Sequence, residues 1–135
     1  YSVANAPRED GKVTLHIRKV PNGLMSQYWF EQAEPDDLLR LEGPLGTFCL
    51  RSTEQKVLIL LATGTGIAPI KAILEKLAED AACNPYNYIH LYWGGRTNQD
   101  HYWKPDFPGL PIKYTPVLSR PDASWSGDPN SHRVR

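Results

Sequence analysis

Apolar and polar residues alternate in the first part of the chain. The alternation runs through residues 13–20 and predicts a β-strand with one buried face. Residues 38–42 and 47–50 are predicted to form two further short strands. Between these segments, Ser26 precedes residues 27–32, where we expect a short helix with Ser26 as its N-cap. The first part of the chain is therefore predicted to be rich in β-structure.

The hydrophobic pattern changes after residue 55. Residues 57–62 are all apolar, as expected for a strand that is covered on both faces. Residues 70–78 carry apolar side chains at i, i+3, i+4, i+7 and i+8, which predicts an amphipathic helix with Pro69 near its start. Residues 89–93 are predicted to form a second strand.

A third apolar segment covers residues 112–118. Pro116 interrupts it, so we expect its second half to be irregular or to lie at a sheet edge. The order strand, helix, strand, strand is typical of a parallel α/β sheet. We therefore divide the chain into a β-rich part, residues 1–53, and an α/β part, residues 54–135, whose polar end from residue 119 is predicted to be loop.

Composition and charge exclude several classes of protein. The chain has 135 residues, and its 15 basic and 15 acidic side chains cancel, which gives no reason to expect a nucleic acid or an anionic membrane as partner. No apolar run approaches the roughly 20 residues that span a bilayer. The chain opens on Tyr1 without a signal peptide, and we expect a cytoplasmic protein that is a processed or truncated product.

The chain contains two cysteines, Cys49 and Cys83. They could form a disulfide, but we expect two buried free thiols in a reducing compartment. Their spacing is not that of a metal site, and an iron–sulfur cluster needs about four ligands. We therefore predict no bound metal.

A glycine turn, Gly64-Thr65-Gly66, joins the strand at 57–62 to the helix at 70–78. A helix N-terminus attracts phosphate, and glycine lets the ligand approach the backbone, but the same sequence can be a plain turn. The run is neither a Walker loop nor a G-x-G-x-x-G fingerprint, because Pro69 stands at the third glycine position. The next strand ends in Gly94-Gly95-Arg96, where an arginine instead of an acid favours a phosphate or a charged ribose.

A second glycine, Gly23, precedes Met25 and Ser26 at the predicted short helix. Alone, this pattern is more typical of an ordinary capped helix than of a phosphate site. Two phosphate-capable helix starts in two different parts of the chain indicate two nucleotides that meet at a cleft between domains.

Six motifs occur in an order that resembles the ferredoxin–NADP⁺ reductase superfamily, with the greatest likeness to bacterial CDP-6-deoxy-3,4-glucoseen reductases and then to NAD(P)H:flavin reductases. The likeness covers roughly residues 1–125. The motifs are Tyr1-Ser2-Val3-Ala4-Asn5, Leu15-His16-Ile17-Arg18-Lys19-Val20, Gly23-Leu24-Met25-Ser26, Glu42-Gly43-Pro44-Leu45-Gly46-Thr47-Phe48, Gly64-Thr65-Gly66-Ile67-Ala68-Pro69 and Tyr92-Trp93-Gly94-Gly95-Arg96.

The resemblance implies an α/β fold in which part of an antiparallel β-barrel that binds FAD is followed by part of a parallel-sheet domain that binds NAD(P)H. It implies that Tyr1 stacks on the flavin and that Ser2 bonds near flavin N5, the hydride acceptor; these two are the catalytic candidates. The other flavin contacts that it implies are His16, Ile17, Arg18, Gly23, Met25 and Ser26. The nicotinamide nucleotide contacts that it implies are Gly64, Thr65, Gly66, Pro69, Gly94, Arg96, Ser119 and Arg120.

The function implied by the resemblance is hydride transfer from NAD(P)H to FAD, with electrons passed to an iron–sulfur domain or protein. Two alternatives stay open: a reductase of free flavin, and a non-catalytic fragment that has lost its cofactor. Family members have further strands before the Tyr-Ser motif and further segments after residue 125, so we expect a core fragment of a reductase. Exposed edges on two incomplete half-domains make self-association an option.

Overall fold

Three parallel strands form the central sheet of the protein, whose computed structural model describes residues 1–51, 54–122 and 125. The strands are β1 (Val57–Thr63), β2 (Tyr88–Gly95) and β3 (Ile112–Leu118), in the order β1-β2-β3. β1 and β2 pair from Val57 with Tyr88 to Thr63 with Gly94, so both strands end at the same edge of the sheet. The parallel α/β arrangement predicted from the sequence is confirmed.

Helix α2 (Ile67–Glu79) covers one face of this sheet. Its buried residues Ile70 and Leu74 join Leu60 of β1 and Leu91 and Trp93 of β2 in one apolar core. The helix directly follows β1, with only the 3-10 turn Gly64–Gly66 between them. The predicted amphipathic helix is confirmed, with Pro69 as its third residue, where a missing N–H breaks no hydrogen bond within the helix.

The other face of β1 is open. Val57, Ile59 and Leu61 point away from α2 and are 55%, 50% and 71% exposed. The prediction that β1 is covered on both faces is therefore wrong for the part of the chain that the structure describes. A continuous apolar run shows that both faces can be buried, but it does not supply the element that buries the second one.

β3 is a regular strand at the edge of the sheet. Pro116 lies within it, in register with Trp93 of β2. Proline cannot donate a ladder hydrogen bond, and an edge strand tolerates this on its open side. The prediction of either an irregular second half or an edge position is confirmed, and the edge position is the alternative that the structure shows.

The first part of the chain has little regular structure. The segments at 13–20, 38–42 and 47–50, predicted as strands, do not form ladders, and one isolated antiparallel bridge joins Val3 to Leu15 in the described residues. A strand needs a hydrogen-bonded neighbour, and sequence alternation does not provide one. The antiparallel barrel expected from the resemblance is not confirmed.

Helix α1 (Leu24–Gln27) begins three residues before the predicted helix and continues into a π-helical turn, Tyr28–Gln32. Its N-cap is Gly23, and no side chain caps it, so the prediction of Ser26 as N-cap is wrong. The hydroxyl of Ser26 is buried. It accepts a hydrogen bond from Val20 N at 2.8 Å and lies 3.5 Å from the carbonyl oxygen of Arg18.

Cys49 and Cys83 are free and exposed, so the prediction of buried thiols is wrong. Asp80 beside Cys83 raises the pKa of that thiol, which keeps it protonated and unreactive at neutral pH. Within residues 1–51, 54–122 and 125, none of the helices has the length and apolar character needed to cross a bilayer.

Replacing Leu74 by alanine tests the packing of α2 on the sheet. Leu74 is fully buried, so the change should lower the free energy of unfolding by about 2–5 kcal/mol. Leu61→Ala is the matched control, because it removes the same atoms from a side chain that is 71% exposed. The free energy of unfolding should fall by only about 0.5 kcal/mol. Urea denaturation measures both, and equal losses would contradict the open face.

Candidate functional site

A cleft of about 490 Å³ lies at the carboxyl ends of the three strands. Ligands of open parallel sheets bind at this edge, because the loops that follow the strands meet there. Six of the residues that the resemblance implied as cofactor contacts line the cleft: Arg18, Gly64, Thr65, Gly94, Arg96 and Ser119. The cleft also contains five residues that the sequence analysis did not select: Thr63, Gly95, Asp100, Val117 and Leu118.

The turn between β1 and α2 leaves open space beside its glycines. Gly64 has a φ of +50°, a conformation that residues with a side chain rarely adopt. A Cβ built on Gly64 or Gly66 would meet no atom within 4 Å. Packing therefore does not require these glycines, and a ligand could approach the backbone at the start of α2. Gly66 is the N-cap of α2; neither it nor Pro69 lines the cleft itself.

Trp93 is hydrogen-bonded to this turn. Its indole Nε1 donates a hydrogen bond of 2.9 Å to the carbonyl oxygen of Gly64, and the side chain is fully buried. Trp93 packs in the apolar core. In addition, it ties the centre of the sheet to the rim of the cleft.

The two glycines at the end of β2 have a different role from those of the first turn. A Cβ on Gly94 would lie 3.2 Å from Thr63 Cγ2, and one on Gly95 would lie 2.8 Å from Asp100 Cβ. A side chain at position 95 would force Asp100 to shift, and one at position 94 would press on the side chain of Thr63. The ends of β1 and β2 are thereby brought together under the cleft.

Asp100 shapes the loop that follows β2. Its Oδ2 accepts hydrogen bonds from Arg96 N at 2.7 Å and Thr97 N at 3.0 Å. The backbone N–H groups of Thr97 and Arg96 hold the pKa of Asp100 below its usual range, and the charge of Arg18 adds to this effect. The spacing Thr97-Asn98-Gln99-Asp100 is a capping-box pattern, so this residue could have been found in the sequence.

The chain after β3 closes the rim of the cleft. Ser119 N donates to the carbonyl oxygen of Gly95 at 3.0 Å, and Arg120 N donates to that of Arg96 at 2.8 Å. Ser119 therefore lines the cleft, whereas Arg120 lies beside it. Arg18 reaches the same cleft from the first part of the chain, although the resemblance implied a flavin contact for it.

The remaining residues implied as flavin contacts lie outside this cleft. Tyr1 is 69% exposed and Ser2 is exposed. Among the others, Met25 is exposed, Ser26 is buried, and His16, Ile17 and Gly23 are partly buried. A Cβ on Gly23 would lie 3.1 Å from the carbonyl oxygen of Val20, so local packing already requires this glycine.

His16 contacts the second part of the chain through Tyr102, which the sequence analysis missed. Its Nδ1 lies 2.9 Å from the Tyr102 hydroxyl, and the Tyr102 ring meets Trp93 edge-on at 5.2 Å. Burial lowers the pKa of His16, with a further contribution from the charge of Lys71. The neutral imidazole is thereby favoured, and in that form Nδ1 can accept a hydrogen bond from the hydroxyl of Tyr102. In the described ranges no three His, Cys, Asp or Glu side chains are grouped as a metal site would require.

Asp100 makes the loop after β2 sensitive to acid. Because its pKa is lowered in the folded state, its stabilising contribution is present above the ordinary aspartate pKa of 3.8 and is lost as the pH falls through the folded value. We expect the protection of the Arg96 and Thr97 amides, that is their exchange rates relative to an unstructured peptide at the same pH, to fall over this range, and Asp100→Ala to lower it already at pH 6. The Leu91 amide of β2 is the internal control; an equal loss of protection there would indicate global unfolding instead.

Models of two oxidoreductase domain families match the chain. The oxidoreductase FAD-binding domain matches residues 1–49, and the oxidoreductase NAD-binding domain matches residues 60–131. A curated relative, the CDP-6-deoxy-L-threo-D-glycero-4-hexulose-3-dehydrase reductase of Yersinia pestis, is 39% identical over 133 residues, which cover 94% of this chain and 39% of the relative. The toluate 1,2-dioxygenase electron transfer component of Pseudomonas putida is 45% identical over 94 residues, covering 70% of this chain and 26% of that protein.

Solved structures share the fold. The ferredoxin reductase in carbazole 1,9a-dioxygenase superposes with a TM-score of 0.70 at 22% identity, covering 94% of this chain and 38% of that one. The FAD/NAD-binding domain of a nitric oxide dioxygenase from Vibrio cholerae gives 0.69 at 20% identity, over 92% and 54% of the two chains. The chain thus spans well under half of the curated relatives that it matches. The chain belongs to the family of oxidoreductase NAD-binding domains, and residues 1–49 match the oxidoreductase FAD-binding domain. These two matches confirm the resemblance predicted from its motifs.

Proposed function

We propose that this chain is the cofactor-binding part of a flavin-dependent oxidoreductase that moves hydride from NAD(P)H to FAD and electrons onward to an iron–sulfur or similar acceptor. One observation carries the proposal. A cleft with open glycines lies at the carboxyl ends of the parallel strands, in the part that matches an NAD-binding domain, and Arg18 enters it from the part that matches an FAD-binding domain.

The cleft suits the phosphates and ribose of a nicotinamide nucleotide. Gly64, Thr65 and Gly66 present backbone N–H groups at the start of α2, where the helix dipole favours negative charge. Arg18 and Arg96 add two positive charges, and neither forms an ion pair with any residue in the described ranges. Pro69, Gly94, Ser119 and Arg120 surround these groups and complete the proposed nucleotide site.

The flavin side is assigned to the other predicted residues. The Tyr1 ring has an exposed face on which a flavin can stack, and the hydroxyl of Ser2 has no partner among the described residues, so it is free to donate to flavin N5. Bound FAD would supply the hydride acceptor. Tyr1 and Ser2 would orient it, and His16 and Ile17 would flank its ribityl chain.

The pyrophosphate of FAD is assigned to the backbone at Gly23 and Met25. Gly23 N already donates to the carbonyl oxygen of Val20 at 3.0 Å, so Gly23 would let a phosphate approach the backbone, and the N–H of Met25, in the first turn of α1 and at the surface, would be the donor. The hydroxyl of Ser26 already bonds to Val20, so its proposed part is to hold the helix start against the preceding segment. We also propose that residues 1–53 belong to a β-barrel and that the domain boundary lies near residue 53.

We propose an iron–sulfur domain or protein as the electron acceptor. The similar proteins from Pseudomonas putida include an electron transfer component and a ferredoxin–NAD(P)⁺ reductase component of dioxygenase systems. The two cysteines of this chain are too few for a cluster, so the cluster would lie elsewhere. A cytoplasmic location and self-association complete the proposal.

A reductase of free flavin is the second candidate. It is favoured by the packing around Gly23 and by the engaged hydroxyl of Ser26, which together leave fewer groups for a tight pyrophosphate grip. In that case flavin would bind as a substrate and would leave after reduction.

The visible spectrum of the purified chain with added FAD tests the proposal. We expect retained flavin absorbance that NADH or NADPH bleaches without oxygen, and the faster nucleotide identifies the physiological donor. Arg96→Met should raise the Kd of that nucleotide about tenfold, since it removes one charge-assisted contact to phosphate. Turnover of riboflavin without retained FAD would favour the second candidate, and the absence of any flavin effect would contradict both.

Ser2→Ala tests the proposed contact to flavin N5. Loss of a hydrogen bond that strengthens as hydride arrives should slow flavin reduction about tenfold while the FAD affinity changes less than about twofold. Stopped-flow absorbance gives the rate, and fluorescence titration gives the affinity. Ser119→Ala removes a hydroxyl on the nucleotide side and should change nucleotide affinity instead; an equal loss of rate and FAD affinity in Ser2→Ala would contradict the assignment.

A further inference from the structure

Helix α2 holds the backbone of residues 4–6 with two side chains one turn apart. Lys71 Nζ donates to the carbonyl oxygen of Ala4 at 2.9 Å, and Glu75 Oε2 accepts from Ala6 N at 2.9 Å. Lys71 also forms an ion pair with Glu75 Oε1. The two side chains and the backbone between Ala4 and Ala6 therefore form a closed ring of contacts, which we call the α2 clamp.

The clamp is largely shielded from water. The side chains of Lys71 and Glu75 are 17% and 29% exposed, whereas those of Lys76 and Glu79, an ion pair on the same helix, are 66% and 45% exposed. Charge-assisted hydrogen bonds are stronger in such a setting than at the open surface. The Lys71–Glu75 ion pair of the α2 clamp is thus stronger than the Lys76–Glu79 ion pair, although the two look alike in the sequence.

The clamped segment is also fixed on its other side. Ala4 N donates to the carbonyl oxygen of Thr14 at 2.8 Å, and Asn5 Oδ1 accepts from Thr14 N at 2.6 Å. Asn5 Nδ2 donates to the carbonyl oxygen of Lys12 at 3.0 Å. Residues 4–6 are buried between the 12–14 segment and α2, so they cannot shift without breaking contacts on both sides.

The clamp lies between the two parts of the proposed reaction site. Ser2 and Tyr1 come two and three residues before Ala4, within about 10 Å of extended chain. Lys71 comes four residues after Ile67, the first residue of α2, a rise of about 6 Å along the helix. One rigid helix therefore begins at the proposed nicotinamide site and, one turn later, grips the segment that carries the proposed flavin contacts.

We propose that Lys71 and Glu75 are positioning residues that set the separation between the Tyr1-Ser2 segment and the nucleotide site at Gly64–Gly66. The inference rests on the proposed function. Hydride transfer requires donor and acceptor atoms to be held at a separation of about 3–3.5 Å, so a slack connection between the two sites lowers the rate without removing either cofactor.

Glu75→Met is the principal test, because it removes the acceptor of the Ala6 amide. Glu75→Gln keeps one side-chain oxygen for the Ala6 amide but removes the carboxylate charge that pairs with Lys71, so it is the partial-rescue variant. Glu79→Met is the matched control, since it removes a carboxylate from the same helix at the exposed ion pair.

Amide exchange, measured by NMR on the full chain without added cofactor, reports the clamp directly. In Glu75→Met we expect the Ala6 amide to exchange at least about tenfold faster, since a hydrogen bond to a charged group is lost. The Leu91 amide should be unchanged, Glu79→Met should behave nearly as the original chain does, and Glu75→Gln should lie between the original chain and Glu75→Met. Unchanged Ala6 exchange in Glu75→Met overturns the proposal.

The rate of flavin reduction with saturating NAD(P)H shows whether loss of the clamp slows hydride transfer. In Glu75→Met we expect the rate to fall between about tenfold and a hundredfold, with the nucleotide Kd within about twofold and the rate partly restored in Glu75→Gln. Faster Ala6 exchange with an unchanged rate overturns the positioning role.

The two readouts separate this inference from the function on which it rests. If the original chain does not reduce flavin at all, the proposed function and the positioning role both fail. The exchange data then still show whether the clamp exists, because they need no cofactor.

Discussion

The hydrogen bond from Trp93 Nε1 to the carbonyl oxygen of Gly64 connects the core of this protein to its cleft. A buried indole N–H needs an acceptor, and the turn between β1 and α2 offers one only if Gly64 turns its carbonyl inward. Gly64 can do so because it tolerates a φ of +50°. The same carbonyl accepts a hydrogen bond from Ile67 N, so it also belongs to the turn that leads into α2. One bond thus stabilises the core and orients the cleft.

The local hydrophobic pattern was sufficient to predict the part of the fold around the bond between Trp93 and Gly64. The apolar run of β1 and the helical spacing of α2 are properties of short segments, and each appears in the structure where the sequence predicted it. The first part of the chain differs because alternation at 13–20 describes only a face that could be buried. Whether a ladder forms depends on a partner strand far away in sequence, and Leu15 bridges to Val3 alone among the described residues.

The difference between local pattern and long-range contact also decides which parts of the candidate site could be predicted. Gly64 and Gly94 lie at the ends of two parallel strands, whose carboxyl ends meet at one edge, whereas Ser119 was predicted from the resemblance alone; all three line the cleft. The position of Arg18 in the cleft could not be predicted from the sequence, since it depends on how the first part of the chain packs against the second. Tyr102 was missed for this reason too: its contact with His16 joins residues 86 positions apart.

The charge of the cleft follows from how Asp100 is used. The chain is neutral overall, and a carboxylate in a phosphate site would normally cancel one arginine. Here the backbone N–H groups of Arg96 and Thr97 solvate the carboxylate of Asp100, so it shapes the loop without pairing closely with an arginine side chain. The charges of Arg18 and Arg96 therefore remain available to an anion. Among the described residues that line the cleft, two arginines stand against one aspartate, so the cleft keeps a net positive charge although the whole chain is neutral.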